Sequence, residues 1–181
     1  MRRLGFRPTG FVICILLLGL GLVSTPAQDR WGIHFQVYGE PHEADNPLYI
    51  NVLPIVYETG LNSFATVQVG SVLGLRIASS IGIGNVGLMA GVPFFPLSAG
   101  VGPYGFFAGP IVTASYNLHT SEMVVTPAAD LGYSFSPGEP FAMTLGGELG
   151  ASVFFLDGEA TVRPHLGPAI YVYVDGPGES P

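Results

Sequence analysis

The sequence predicts an all-β fold: a closed, antiparallel, up-and-down transmembrane barrel of eight strands, preceded by a signal-peptide helix. Three observations support this prediction. Apolar residues alternate with small or polar residues in eight successive segments. Charged residues are only 10% of the chain, against about 25% in ordinary soluble domains. Glycine and proline recur throughout and interrupt any long apolar helix. In lipid a closed barrel is the remaining structure that satisfies every backbone hydrogen-bonding group.

The first residues have the three-part layout of a secretory signal peptide. Arg2, Arg3 and Arg7 are followed by an apolar stretch at 11–23 and then by small residues. This stretch is short for a transmembrane helix, which needs about 20 residues. We therefore predict cleavage after Ala27. The predicted organisation is a signal peptide at 1–27, a barrel at 28–174 and a polar tail at 175–181.

Cleavage would leave a chain that is poor in positive charge. Cys14 leaves with the signal peptide, so the mature chain has no disulfide and no thiolate. Arg30, Arg76 and Arg163 then stand against 13 acidic residues, a net charge of about −10. Such a chain is not expected to bind nucleic acid, because phosphate contacts need clustered cations.

The alternation has period two, as expected for a barrel with apolar residues towards lipid and small or polar residues towards the lumen. The clearest segment is 67–77, where Val67, Val69, Leu73 and Leu75 alternate with polar or small residues. The other segments are centred on 31–38, 48–56, 86–92, 105–116, 123–135, 141–155 and 162–174.

Turn-forming residues separate these segments. An Asp-Gly pair at 157–158 is the strongest hairpin signal. The other predicted turns are at 39–47, 59–62, 79–80, 96–103, 117–121 and 136–140. Five prolines fall inside the predicted strands, where proline removes a ladder hydrogen bond. We expect each of them near a strand end or at a bulge: Pro54, Pro110, Pro127, Pro164 and Pro168.

The export signal and the eight alternating strands resemble the small outer-membrane barrels of the OmpA and OmpX kind. The segment 165–172 is also similar to the last strand of such barrels, which the insertion machinery recognises, although here a polar tail follows it. The resemblance implies an outer-membrane location, with outer-membrane lipid and the barrel-insertion machinery as partners.

The candidate site is a polar network in the lumen. By parity six ionisable side chains face inward: His34, Arg76, Asp130, Glu148, Arg163 and His165. The interior of an eight-stranded barrel is just wide enough to be filled by side chains, and buried charges need partners. We therefore expect Arg76 and Arg163 to pair with Glu148 and Asp130, although the sequence leaves open which meets which.

This network predicts a structural or interaction role without catalysis. No catalytic residue, metal site or cofactor is expected. The acidic stretch 42–45 is interpreted as a solvated loop, and the glycine-rich run 81–87 lacks the helix and basic residue of a dinucleotide site. Two alternatives stay open: a narrow pore or binder of small apolar molecules, and a soluble periplasmic barrel resembling a lipocalin.

Overall fold

The computed structural model describes residues 29–39, 47–62, 64–96, 103–156 and 159–175. Eight strands form, each where the sequence alternates between apolar and polar residues. They are β1 (Arg30–Gly39), β2 (Leu48–Asn62), β3 (Ala65–Ile77), β4 (Ile81–Gly91), β5 (Gly105–Asn117), β6 (Glu122–Gly138), β7 (Phe141–Leu156) and β8 (Glu159–Asp175). No helix among these residues is long and apolar enough to cross a membrane. The predicted signal peptide and most of the predicted tail lie outside the described residues.

The eight strands close into an antiparallel up-and-down barrel, which confirms the predicted fold class. Each strand pairs with its neighbour along the chain, and β1 pairs with β8, so that Arg30 lies opposite Asp175 and Gln36 opposite Ala169. We call the end where β1 begins and β8 ends the terminal rim. The opposite end, where β1–β2, β3–β4, β5–β6 and β7–β8 are joined, is the hairpin rim.

Apolar side chains face outward and polar side chains inward along most of the barrel, as the alternation predicts. In β1, Trp31, Ile33 and Phe35 are exposed, whereas His34 and Gln36 are buried. Strand β2 departs from the prediction. Its pairing with both neighbours shifts by one residue between Val52 and Val56. Because a one-residue shift reverses the facing of every later side chain, Val56 points inward, where an outward side chain was expected.

The prolines meet the expectation at one position and contradict it at others. Pro54 falls within the β2 bulge, as expected. Four prolines pair inside regular ladders, so the expectation is wrong for them: Pro110 with Ala129, Pro127 with Val112, Pro164 with Ala151 and Pro168 with Gly147. On the other side of the strand, Pro110 and Pro168 each lie next to the last pair of a ladder, Gly91–Ile111 and Gln36–Ala169 respectively. A proline is tolerated at such an edge.

Several turns lie where the sequence predicts them. Residues 78–80 join β3 to β4, and residues 118–121 join β5 to β6. The predicted turn at 59–62 is wrong, because β2 continues to Asn62 and the turn follows it. The predicted hairpin at 157–158 and the core of the turn at 39–47 lie outside the described residues. In the connection between β4 and β5, Phe94 bridges to Ala65 and Ala108, and this holds the described part of the segment at the terminal rim.

Candidate functional site

The side chains that point into the barrel form the candidate site. His34, Arg76, Asp130, Glu148 and His165 are each less than a tenth exposed. Strands β1, β3, β6, β7 and β8 each contribute one of these five side chains. Arg163 is half-buried near the hairpin rim, with its guanidinium 4.7 Å from the centre of the Phe154 ring. All six candidates therefore lie on the inner face or at its edge.

Two carboxylates lie side by side in the middle of this network. Asp130 of β6 is the cross-strand partner of Glu148 of β7. The Tyr171 hydroxyl donates to Asp130 Oδ2 at 3.1 Å, and His165 Nε2 lies 3.5 Å from Glu148 Oε2. These contacts come from a tyrosine and a histidine. Pairing of Arg76 or Arg163 with either carboxylate stays a prediction.

A buried ion pair at the terminal rim was not foreseen. Arg30 Nη2 lies 2.8 Å from Glu58 Oε1 and 2.9 Å from Oε2, and both residues are almost fully buried. Gln68 Nε2 also donates to Glu58 Oε2, at 2.9 Å, and to the Tyr173 hydroxyl, at 3.0 Å. Simple alternation from the first half of β2 would turn Glu58 outward. The bulge turns it inward, and Pro54 in mid-strand was the only sequence signal for that bulge.

A stacked column of rings runs along the inner face of β1 and β8. The Arg30 guanidinium lies 4.2 Å from the centre of the Tyr173 ring. Tyr173 stacks on Tyr171 at 5.9 Å, and Tyr171 stacks on His34 at 3.9 Å, both within 3° of parallel. Gly32 makes room for this column, because a Cβ there would lie 2.7 Å from Tyr173 Cδ1.

Buried apolar side chains pack around the two tyrosines of this column. The buried cluster consists of Val56, Val72, Met89, Ile111, Ala142, Ala169, Tyr171 and Tyr173. Such packing fills the lumen between the ion pair at the terminal rim and the polar groups nearer the hairpin rim. The described interior is therefore packed with side chains, and its charged groups lie at either side of the apolar cluster.

A small polar cavity lies nearer the hairpin rim. Its water-accessible volume is about 20 Å³, room for about one water molecule. Hydrogen bonds link its walls: Asn85 Nδ2 donates to the Tyr38 hydroxyl at 3.1 Å, and Asn51 Nδ2 donates to Gln36 Oε1 at 3.3 Å. The lining residues are Gln36, Tyr38, Asn51, Asn85, Thr113, Ser115, Asn117, Val124, Thr126, Glu148, Ser152 and His165.

Three residues that line this cavity, Ser152, His165 and Glu148, are of the types that form a nucleophile, a base and an acid in hydrolases. Ser152 Oγ lies 3.5 Å from His165 Nδ1, and His165 Nε2 lies 3.5 Å from Glu148. Both distances exceed the hydrogen-bond reach of about 2.6–3.2 Å that proton transfer needs. Ser152 is instead 2.9 Å from Thr126 Oγ1. The cavity is also too small for an acyl group, so these three residues do not support a nucleophilic site.

In the part of the chain that the structure describes, no three His, Cys, Asp or Glu side chains come close enough together to hold a metal ion. The acidic stretch 42–45 lies outside that part. His34 stacks on Tyr171, and Asp130 is held by the Tyr171 hydroxyl. His34 and Asp130 thus belong to internal contacts.

The sequence matches no protein-family model. It also has no match among curated proteins. Among solved structures, the chain is similar to the outer membrane protein Ail of Yersinia pestis, whose backbone structure was determined in a phospholipid bilayer nanodisc. The two share 14% sequence identity with a TM-score of 0.41, and the match covers 80% of this chain and 99% of that one.

Proposed function

We propose that this chain is an integral outer-membrane protein with a structural or interaction role and without catalysis. The observation that supports this proposal best is the outer face of the barrel. Every strand turns at least one large apolar side chain outward with a third or more of its surface exposed, for example Phe35, Leu88, Leu149 and Leu166. A continuous apolar surface of this extent is costly in water and favourable against acyl chains.

Exposed aromatic side chains support a membrane placement at both rims. Towards the terminal rim, Trp31 packs on Tyr57 at 4.6 Å and Phe106 on Tyr133 at 4.9 Å. Towards the hairpin rim, Tyr116 is exposed. Phe106 and Tyr116 are ten residues apart on β5, which is about 25 Å along the membrane normal for a strand tilted by about 40°. This matches the height of the apolar band in outer-membrane barrels.

The packed interior favours the structural role over the pore alternative. The Arg30–Glu58 pair fills the lumen near the terminal rim, and the stacked rings with the apolar cluster around them fill the part beyond it. The alternative of an apolar ligand has little support, since the cavity is small and lined mostly by amides and hydroxyls. The lipocalin-like alternative requires an apolar interior, whereas Arg30, Glu58 and Glu148 are buried inside this barrel.

Export and assembly follow from the same proposal. A signal peptide cleaved after Ala27 would deliver the chain to the outer membrane, and β8 would present its alternating face to the barrel-insertion machinery. Leu166, Ile170 and Val174 lie outward on that strand and are exposed. N-terminal sequencing of the membrane-inserted protein tests the cleavage. A mature protein that still carries residues 1–27 would contradict it.

Two measurements test membrane insertion and closure together. After expression with its own leader, the protein should stay in the membrane pellet through alkaline washing. It should also migrate faster on a gel when unheated than when boiled, because a closed barrel survives in detergent. Release into the soluble fraction, or identical migration in both states, would contradict the proposal.

Planar-bilayer recording separates the structural role from a pore. The packed lumen predicts no stable conductance steps from the purified barrel. A porin treated in the same way serves as the positive control. Reproducible steps that are absent from protein-free bilayers would favour the pore.

A further inference from the structure

We infer that the cavity near the hairpin rim contains a binding site for a monovalent cation such as Na⁺, formed by Asn51 and Asn85 above Gly74. These three residues lie opposite one another on β2, β3 and β4: Asn51 pairs with Gly74, and Gly74 pairs with Asn85. Because glycine has no side chain, both asparagines extend over it from either side.

The two side-chain oxygens converge at this point. A Cβ added at Gly74 would lie 1.3 Å from Asn85 Oδ1 and 2.7 Å from Asn51 Oδ1. The two oxygens are therefore at most about 4 Å apart. At this separation, both oxygens can lie about 2.4 Å from one ion, the distance found in hard-cation sites.

Neither oxygen has a hydrogen-bond donor among the residues that the structure describes. Asn51 is 5% exposed and Asn85 4% exposed, and both Oδ1 atoms are buried and unpaired. The amide nitrogens are already used, by Gln36 Oε1 and by the Tyr38 hydroxyl. Two carbonyl dipoles that point their negative ends at one place are unfavourable by themselves, and a cation between them makes the arrangement favourable.

The surroundings favour a small cation over other ligands. The cavity volume of about 20 Å³ excludes an organic molecule. Arg76 faces inward on β3 two residues beyond Gly74 but does not line the cavity, and the chain contains no lysine. The site oxygens are neutral amides, and the carboxylate of Glu148, which also lines the cavity, lies 3.5 Å from His165 Nε2. Divalent ions prefer sites with carboxylate ligands, so a monovalent ion fits this oxygen set better.

Sodium-23 NMR relaxation of the folded barrel in vesicles of neutral lipid is the direct test. We expect excess relaxation of Na⁺ that saturates with concentration and is lost in Asn51→Leu and in Gly74→Ala, whose Cβ would displace Asn85 Oδ1. The control is Asn117→Ala, in the same cavity. Asn117 Oδ1 already accepts from the backbone nitrogens of His119 and Thr120, so this variant should keep the Na⁺ effect.

Stability gives a second readout that does not depend on NMR. The thermal unfolding midpoint should rise by about 2–4 °C when tetramethylammonium chloride is replaced by NaCl at the same ionic strength. Asn51→Leu should lose this increment even if its own midpoint is lower. Wild-type protein that responds equally to the two salts, or an Asn51→Leu variant that keeps the Na⁺ response, would overturn the inference. In that case the two amides are turned to hydrogen-bond each other.

Discussion

Arg30 and Glu58 form a buried ion pair that joins the first strand of the barrel to the second. Arg30 Nη2 contacts both carboxylate oxygens of Glu58, at 2.8 and 2.9 Å, and the two residues lie opposite each other in the β1–β2 ladder. Tyr173 of β8 stacks on the guanidinium. The pair thus connects three strands next to the seam where the barrel closes.

Breaking this pair should destabilise the barrel strongly. Glu58→Gln leaves the Arg30 charge buried without its counter-charge, and we expect a loss of about 3–5 kcal/mol in the free energy of unfolding. The double variant Arg30→Met, Glu58→Met should lose less than Glu58→Gln, because no unpaired charge remains. Urea titration of the fast-migrating folded form on unheated gels measures both.

The exposed carboxylate of Glu159 provides the control for this prediction. It lies at the start of β8, by the hairpin rim, and Glu159→Gln should leave the urea midpoint unchanged within about 0.5 kcal/mol. Equal effects of Glu58→Gln and Glu159→Gln would show that the buried pair contributes nothing particular.

The outer face should tolerate charge at its rim but not at its middle. Leu149 lies near the middle of β7 and is 58% exposed, whereas Ile81 lies next to the β3–β4 turn and is 73% exposed. In a membrane, Leu149→Arg should cost about 2–4 kcal/mol and Ile81→Arg about 0–1 kcal/mol. Urea titration of both variants folded in lipid vesicles measures the difference.

This comparison also tests the membrane placement itself. In water both positions are equally open to solvent, and the two arginines should then have similar small effects. A Leu149→Arg variant as stable as Ile81→Arg in vesicles would contradict a lipid-facing outer surface.

Gly32 should be the more sensitive of two matched glycines. A Cβ at Gly32 would lie 2.4 Å from the Val172 carbonyl oxygen and 2.7 Å from Tyr173 Cδ1, whereas a Cβ at Gly82 would meet nothing within 4 Å. Because the Tyr173 ring stacks between Arg30 and Tyr171, it has little freedom to move. Gly32→Ala should therefore cost about 1–3 kcal/mol.

Gly82→Ala is the paired control, and we expect its urea midpoint to match the wild type within about 0.5 kcal/mol. If both alanines are tolerated, the ring column adjusts more easily than its packing implies.

The sequence predicted the strand number and the facing of most side chains, because period-two alternation follows directly from strand geometry. It placed His34, Asp130, Glu148 and His165 inward, where they are buried. It did not predict that Tyr171 contacts Asp130 or that His165 contacts Glu148, since contacts between strands depend on register, which one sequence does not specify. The sequence also does not predict the Arg30–Glu58 pair, because a single bulge in β2 turns the side chain of Glu58 inward where plain alternation turns it outward.

That bulge leads to a prediction about a deletion. Between Val52 and Val56, β2 contains one residue more than each neighbouring strand. Removing Pro54 would restore plain alternation, with Ile55 outward and Val56 and Glu58 inward, as they already are. A barrel that lacks Pro54 should therefore fold, keep the Arg30–Glu58 pair and show heat-modifiable migration.

Deletion of Leu131 is the control, because Leu131 pairs in regular register with Ala108 and with Gly147. That deletion would turn half of β6 inside out and should abolish the fast-migrating form. Loss of folding in the Pro54 deletion, with the Leu131 deletion still folding, would mean that the extra residue in β2 has been located wrongly.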